Sequence, residues 1–327
     1  MIKKEVIRKI AEQIEQNSGK TSSTGLYNGK AGLSISLFIA AEYLLNEQLE
    51  DIAYRLLQES LIIKSNDVSF ENGLAGIGYT LLYLIENKYL EADFDEIFGS
   101  QYETIIKNFE NIEKEPSRLI NSLQIIYFLS RVCRIKKEDN RIQEIIKKFF
   151  EGLELFLTVQ FQDFADIRYI GKKLGILNIF KTYLKLVDYS GYNYFSRSLL
   201  ENYSGLYRNG RVISSLGAGF YLSKIVSNYN IKECEDVVNE NISSGLKNIF
   251  PKTLSLKERI DMSKIINNLD SKNVKEFDLL PELKNIHIDI VIRNLLMAID
   301  GEFFPFGYGA GLSRLLIYCV NKQTELL

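Results

Sequence analysis

The chain has 327 residues, 46% of them hydrophobic and 25% charged, with 21 Gly and 4 Pro, which is ordinary globular composition. Lys and Arg total 40 against 42 Asp and Glu, a formal charge of −2 with no basic block, so binding of nucleic acid through a phosphate-neutralising surface has no support. One His and three widely spaced cysteines, Cys133, Cys234 and Cys319, leave no zinc-finger spacing, no CxxC redox pair and no disulfide framework.

The first element is an amphipathic helix with Ile2, Val6, Ile7, Ile10 and Ile14 on one face. Charges interrupt it where a signal peptide would be continuously apolar, so a cytoplasmic protein is predicted. No apolar run reaches the roughly 18 residues that a membrane span needs. A Ser/Thr/Gly linker, Asn17 to Thr24, leads to Asn28-Gly29-Lys30-Ala31-Gly32-Leu33. The same unit returns as Asn72-Gly73-Leu74-Ala75-Gly76-Ile77, with Gly76 lying 44 residues after Gly32. Weaker or partial copies follow at Gly171 to Ile176, at Leu216-Gly217-Ala218-Gly219-Phe220 and at Gly307-Tyr308-Gly309-Ala310-Gly311-Leu312. The gaps between them are close to one or two periods, which predicts degenerate copies near Leu119 to Gln124 and near residues 258–265.

Each unit opens an apolar stretch at helical spacing, such as Leu33, Leu37, Ala40, Ala41 and Leu44. More charged, amphipathic helices are predicted between them, at Glu50 to Ile63, Phe94 to Phe109, Asp139 to Leu157, Lys232 to Ile249 and Glu282 to Ala298. The stretch Tyr189 to Tyr207, rich in Tyr, Asn and Ser, reads equally as a partner-facing surface or as a partly buried outer helix with a wet loop. Strand alternation between hairpin turns is absent, so the fold class is all-α. The first and last units are as apolar as the middle ones, which favours a closed ring over a capped solenoid. The expected architecture is a single domain over residues 1–327, a double-layered α/α toroid (barrel) of about seven inner and seven outer helices. Its glycine-marked turns are expected to line one rim, where backbones approach closely and first-turn N–H groups point at whatever binds.

The units Gly25 to Leu33, Ser69 to Ile77 and Gly307 to Leu312 resemble those of the lanthionine synthetase C-like (LanC-like) family, the cyclases of lanthipeptide biosynthesis and their relatives. The resemblance implies the α/α toroid and, in catalytic members, addition of a peptide Cys thiol to dehydroalanine or dehydrobutyrine. In those members a zinc ion held by two Cys and one His lowers the thiol pKa. Here the fifth motif carries Ser214 and Ser215 where a ligand Cys is expected, and the sixth region, Lys257 to Ser263, has no Cys, His or Gly. Loss of the zinc site, and no cofactor, is therefore expected, since hard oxygen ligands do not replace thiolates. The cysteines are read as packed small hydrophobes, and His287, flanked by Ile286 and Ile288 on an outer helix, as structural.

The resemblance also includes zinc-free cyclase domains, so two readings stand: a zinc-independent thioether cyclase, or a non-catalytic peptide-binding partner of a dehydratase. In zinc-dependent members an Arg precedes the first ligand Cys, which makes Arg211 the candidate catalytic residue, to hold an enolate or a peptide carboxylate. Asn28, Gly29, Glu71, Asn72, Gly73, Ser214, Ser215 and Tyr308 are the candidate residues for binding a precursor peptide. Phe303, Phe304 and Phe306 flank the last unit, where they either grip a peptide or pack the closing ring. A second class of function, an α/α-barrel glycoside hydrolase, would use paired rim carboxylates among Glu71, Asp163, Asp166 and Glu302.

Overall fold

The computed structural model describes residues 4–62, 65–269, 278–284, 288–297 and 304–320. Among them the chain forms fifteen α-helices and no strand, so the all-α class expected from the sequence is observed. The first five are α1 (Lys4–Asn17), α2 (Lys30–Leu44), α3 (Glu47–Ile62), α4 (Leu74–Glu86) and α5 (Phe94–Phe109). Next come α6 (Pro116–Asn121), α7 (Ile125–Ile135), α8 (Asn140–Gln162), α9 (Ile170–Ser190) and α10 (Arg197–Arg208). The last are α11 (Leu216–Tyr229), α12 (Glu235–Lys247), α13 (Leu256–Asn267), α14 (Ile288–Met297) and α15 (Leu312–Val320).

Helices α2, α4 and α15 follow glycine units, α7 follows the degenerate copy near Leu119 to Gln124, α11 opens at Leu216-Gly217, and α9 and α13 contain their copies. The predicted copy near Leu119 to Gln124 becomes α6 and a turn that feeds α7, and the copy near 258–265 lies within α13. A capping box starts α13: Ser255 Oγ accepts from the Glu258 N–H, and the Glu258 carboxylate accepts from the Ser255 N–H. Within the stretch expected as an outer helix, Glu282 to Ala298, the described residues form a 3-10 turn, Pro281–Lys284, and helix α14. His287, Glu302 and Phe303 lie outside the described residues.

The chain divides into two compact units, one made of Met1–Ile105 and Phe250–Leu327, the other of Ile106–Ile249. In the first unit α2 and α4 are buried almost all round, which their near-continuous apolar sequences require. Full burial of each Leu, Ile or Phe along them contributes about 1.5–3 kcal/mol. Three buried hydroxyls on and against α2 are all satisfied: Ser34 donates to Ala53 C=O at 2.8 Å, Ser36 to Leu33 C=O at 2.8 Å, and Ser313 to Phe306 C=O at 2.6 Å. Helix α15 packs on α1 and α2, so the first and last described helices meet inside this unit.

The second unit is built on α8, whose Ile142, Ile145, Phe149, Phe150, Leu153, Leu157 and Phe161 are buried. Phe161, Phe180 and Tyr203 form an aromatic cluster across α8, α9 and α10, with ring centroids 4.4–6.3 Å apart. Glu154 on α8 accepts from the Tyr183 hydroxyl at 2.7 Å and from the Ser196 N–H at 3.0 Å. One carboxylate thereby ties three helices together, although burial still pushes its pKa upward.

Candidate functional site

In the first unit the glycine turns fold back onto the helices they precede. The N–H groups of Lys30, Ala31 and Gly32 donate to the carbonyls of Ser23, Thr24 and Gly25 at 3.0–3.4 Å. Leu74 N–H donates to Asp67 C=O at 2.8 Å, and the Leu312 and Ser313 N–H groups to Pro305 and Phe306 C=O at 2.9 and 3.1 Å. Each bond spans seven residues, and each glycine near the helix start makes room for the returning strand of loop. A Cβ at Gly32, Gly76 or Gly311 would overlap the carbonyl of Leu26, Phe70 or Pro305. This corrects the expectation that first-turn N–H groups point at a ligand: the N–H groups of Lys30, Ala31 and Gly32, of Leu74, and of Leu312 and Ser313 are taken by the loops' own carbonyls.

The three loops also bond to one another. Tyr27 N–H donates to Glu71 C=O at 2.7 Å, and Gly309 N–H donates to Tyr27 C=O at 3.0 Å. Gly25 lies against the backbone of Asn72, and Gly307 against the Tyr27 carbonyl. Sequence-predicted residues Asn28, Gly29, Glu71, Asn72, Gly73 and Tyr308 all belong to this junction. Gly29 and Gly73 are buried, and Asn72 is exposed. Asn28 accepts from Thr21 Oγ1 through its carbonyl at 2.9 Å, while its side-chain oxygen is buried with no hydrogen-bond donor among the described residues.

Beneath the junction lies a polar cluster. Tyr308 is 1% exposed, against the Tyr27 ring and under the guanidinium of Arg314, 5.9 Å from its ring centroid. Arg314 is itself 4% exposed and bonds Asp261 at 2.6 Å, joining α15 to α13. Lys257, also on α13, stands over the Tyr27 ring at 5.9 Å. Glu71 is half-buried. Burial raises its pKa, and nearby Asp67 adds to this against its own backbone hydrogen bond and Lys257.

The second unit holds the fifth motif. After α10, Gly210 takes a positive φ of 65° and Arg211 N–H bonds Leu206 C=O at 2.9 Å, turning the chain toward α11. Ser215 caps α11, its hydroxyl accepting from Ala218 N–H at 3.4 Å. The anchor of this turn is Asn241 on α12, fully buried. It accepts from Ser215 N–H at 2.9 Å and from the Tyr203 hydroxyl at 3.2 Å, and donates to Val237 C=O at 2.9 Å. Gly219 and Gly245 let α11 and α12 approach closely enough for this. A pocket of about 150 Å³ opens beside the turn, lined by Leu174, Leu177, Phe180, Tyr203, Val212 and Ser214 among others. Ser214 shares a 2.7 Å hydrogen bond with the Tyr207 hydroxyl. Arg211 is exposed, its side chain making no ion pair or hydrogen bond among the described residues.

The copy at Gly171 to Ile176 differs from the loops of the first unit. Helix α9 already begins at Ile170, and nothing lies within 4 Å of a Cβ built at Gly175. These two glycines therefore do not mark a close backbone approach, a correction to the reading of this stretch as an equivalent turn. Asp163 ends α8, and Asp166 N–H bonds its carbonyl at 3.0 Å. The two acids thus share one turn.

Sequence reading missed Asn241, Lys257, Asp261 and Arg314. Asn241 had a signal, since it interrupts the stripe of Val237, Val238 and Gly245 that α12 buries. Arg314 had none, because its partner Asp261 lies 53 residues away. Zinc does not fit the donors present among the described residues. Ser214 and Ser215 offer neutral hydroxyls engaged in the turn, and the Asp261 carboxylate already holds Arg314. Cys234 and Cys319 are buried, and burial pushes the Cys133 and Cys234 thiols upward, away from the thiolate that zinc requires.

Residues 2–123 match the family model described as lanthionine synthetase C-like protein. No curated protein and no solved structure matches the chain.

Proposed function

We propose that this chain is a peptide-binding LanC-like protein of lanthipeptide maturation that holds a precursor peptide, in the cytoplasm, beside a dehydratase that modifies it. The observation that carries this reading is the chemistry of the fifth motif. At the position where the family resemblance expects a metal-ligating Cys, the chain builds an apolar pocket edged by hydroxyls. Such a pocket accepts a side chain and has no means of generating a thiolate. No helix among the described residues is long and apolar enough to cross a membrane.

The unpaired Arg211 beside that pocket favours a second reading, metal-independent cyclisation. There the peptide Cys sulfur would bond to the β-carbon of a dehydroalanine, and the guanidinium would hold the resulting enolate oxygen until the α-carbon takes up a proton. The thiol proton passes to water as the sulfur attacks, water returns one to the α-carbon, and proximity supplies the acceleration. Glycoside hydrolysis has no comparable support. Asp163 and Asp166 share a single turn, and Glu71 is set against Lys257 and Asp67 on its own loop.

The test is incubation with a dehydrated, Cys-containing precursor peptide, followed by thiol alkylation and intact-mass analysis. Saturable binding with every thiol still alkylated supports the peptide-holding role. Loss of alkylation, abolished by Arg211→Ala, supports cyclisation. Absence of binding to both dehydrated and unmodified peptides overturns the proposal.

A further inference from the structure

We infer that the mouth of the pocket in the second unit docks an acidic peptide segment through one bulky apolar side chain, an inference that rests on the peptide-binding reading above and names the segment's chemistry.

Size comes first. A cavity of about 150 Å³ has the volume of a benzene-sized guest, so it takes one Leu, Ile or Phe side chain and no more. Its wall is apolar through Leu174, Leu177, Phe180 and Val212, while Ser214 and Ser215 sit at one edge, where a peptide backbone would need hydrogen-bonding partners. Around the opening, large apolar side chains stand in solvent: Tyr169 at 74%, Ile170 at 65%, Leu174 at 46% and Ile213 at 62% exposed. The last two also line the pocket, so the exposed surface and the cavity are continuous. A contiguous apolar surface that leads into a cavity is the usual form of a partner site.

Charge selects the partner. Arg168 precedes the exposed start of α9, and Arg211 precedes Ile213. Both are exposed and neither is ion-paired among the described residues. Lys173 lies over the Phe164 ring at 5.2 Å. Against these three cations the adjoining turn carries Asp163 and Asp166, which leaves an excess of positive charge on the segments that border the mouth. Some other cations of this unit are matched, as in Arg208 with Asp236 and Lys224 with Asp188. An apolar anchor flanked by carboxylates is therefore complementary to the opening both in shape and in sign.

The experiment uses the full chain and fluorescence anisotropy with a labelled synthetic peptide that carries one Leu between runs of Glu. Companion peptides have Ser for the Leu, or Lys for every Glu. None contains Cys, Ser-derived dehydroalanine or dehydrobutyrine, so the result is independent of whether the natural partner is dehydrated. The Leu peptide is expected to bind saturably, and the Ser peptide about 10-fold or more weakly, as the loss of one buried apolar side chain requires. The Lys peptide is expected not to bind. Raising salt from about 50 to about 300 mM should weaken binding several-fold. Leu174→Asp and the pair Arg168→Glu with Arg211→Glu should each weaken it about 10-fold; all lie on exposed positions, and circular dichroism confirms that the variants fold. Equal binding of the three peptides, binding insensitive to these variants, or binding only to vesicles of anionic lipid would overturn the inference.

Discussion

Gly309 donates its backbone N–H to the carbonyl of Tyr27 at 3.0 Å, so the last glycine loop of the chain is hydrogen-bonded to the first. Tyr27 in turn donates to Glu71 C=O at 2.7 Å, and one residue links all three loops of the unit. The glycines are small because other backbones occupy the space where a side chain would go. Gly32→Ala and Gly76→Ala should each destabilise the protein by about 1–3 kcal/mol or more, the cost of overpacking a site whose neighbour is backbone and does not rotate away. Gly175→Ala, at an open helical position, should be neutral or stabilise by up to about 1 kcal/mol. Urea unfolding of the three variants checks the contrast.

Arg314 and Asp261 form a pair in which one partner is buried and the other about one-third exposed. Asp261→Asn leaves the guanidinium without its counter-charge and should cost about 3 kcal/mol, while Arg314→Met, which removes the buried charge altogether, should cost markedly less. A loss of equal size for the two variants in chemical denaturation would contradict this account.

Glu71 has its pKa raised in the folded state, chiefly by burial. For an acid with a raised folded pKa, the folded state holds the proton more tightly than the unfolded one. Stability is then fully present below the ordinary carboxylate pKa and falls as pH rises through the folded value. Glu71→Gln should remove that fall, so the variant gains on the parent as pH rises from about 4 to about 7. Urea midpoints across this range give the comparison.

Asn241→Leu retains bulk and removes three hydrogen bonds, leaving Ser215 N–H and the Tyr203 hydroxyl without their acceptor. The expected cost is about 2–3 kcal/mol, together with weaker peptide binding, because Ser215 and Tyr203 both line the pocket. Asn241→Asp keeps an acceptor and should recover part of the binding, which separates positioning of the turn from general loss of stability.

Of the three thiols, Cys234 and Cys319 are buried and Cys133 is half-buried, with its pKa pushed up by burial. A disulfide reagent at neutral pH should therefore modify the native protein slowly and at Cys133 first, and all three cysteines once the chain is unfolded. Rapid native reaction at Cys234 would show that α12 opens readily.

Much of the fold was legible because the code behind it is local. Phe94–Phe109 shows its apolar face at helical spacing and forms at the predicted bounds, and Asn28-Gly29 and Asn72-Gly73 announce helices that begin at the next residue. The site was less legible. The glycines suggested N–H groups open to a ligand, yet the carbonyls of Ser23, Asp67 and Pro305 reach them first, and a bond over seven residues leaves no mark in periodicity. Ser214 and Ser215 were located by motif position, whereas Leu174 and Leu177, which complete their pocket, looked like any other apolar residues of a helix.

The packing of α15 onto α1 and α2 fixes an order of events during synthesis. The unit containing Ile106–Ile249 is continuous in the chain and can close as soon as it leaves the ribosome. The other unit must wait for Leu312–Val320, the last described helix made, before the faces of α1 and α2 are covered. Until then its earliest helices expose apolar surface, so a nascent chain stalled before this helix is the state most exposed to aggregation and most in need of a chaperone.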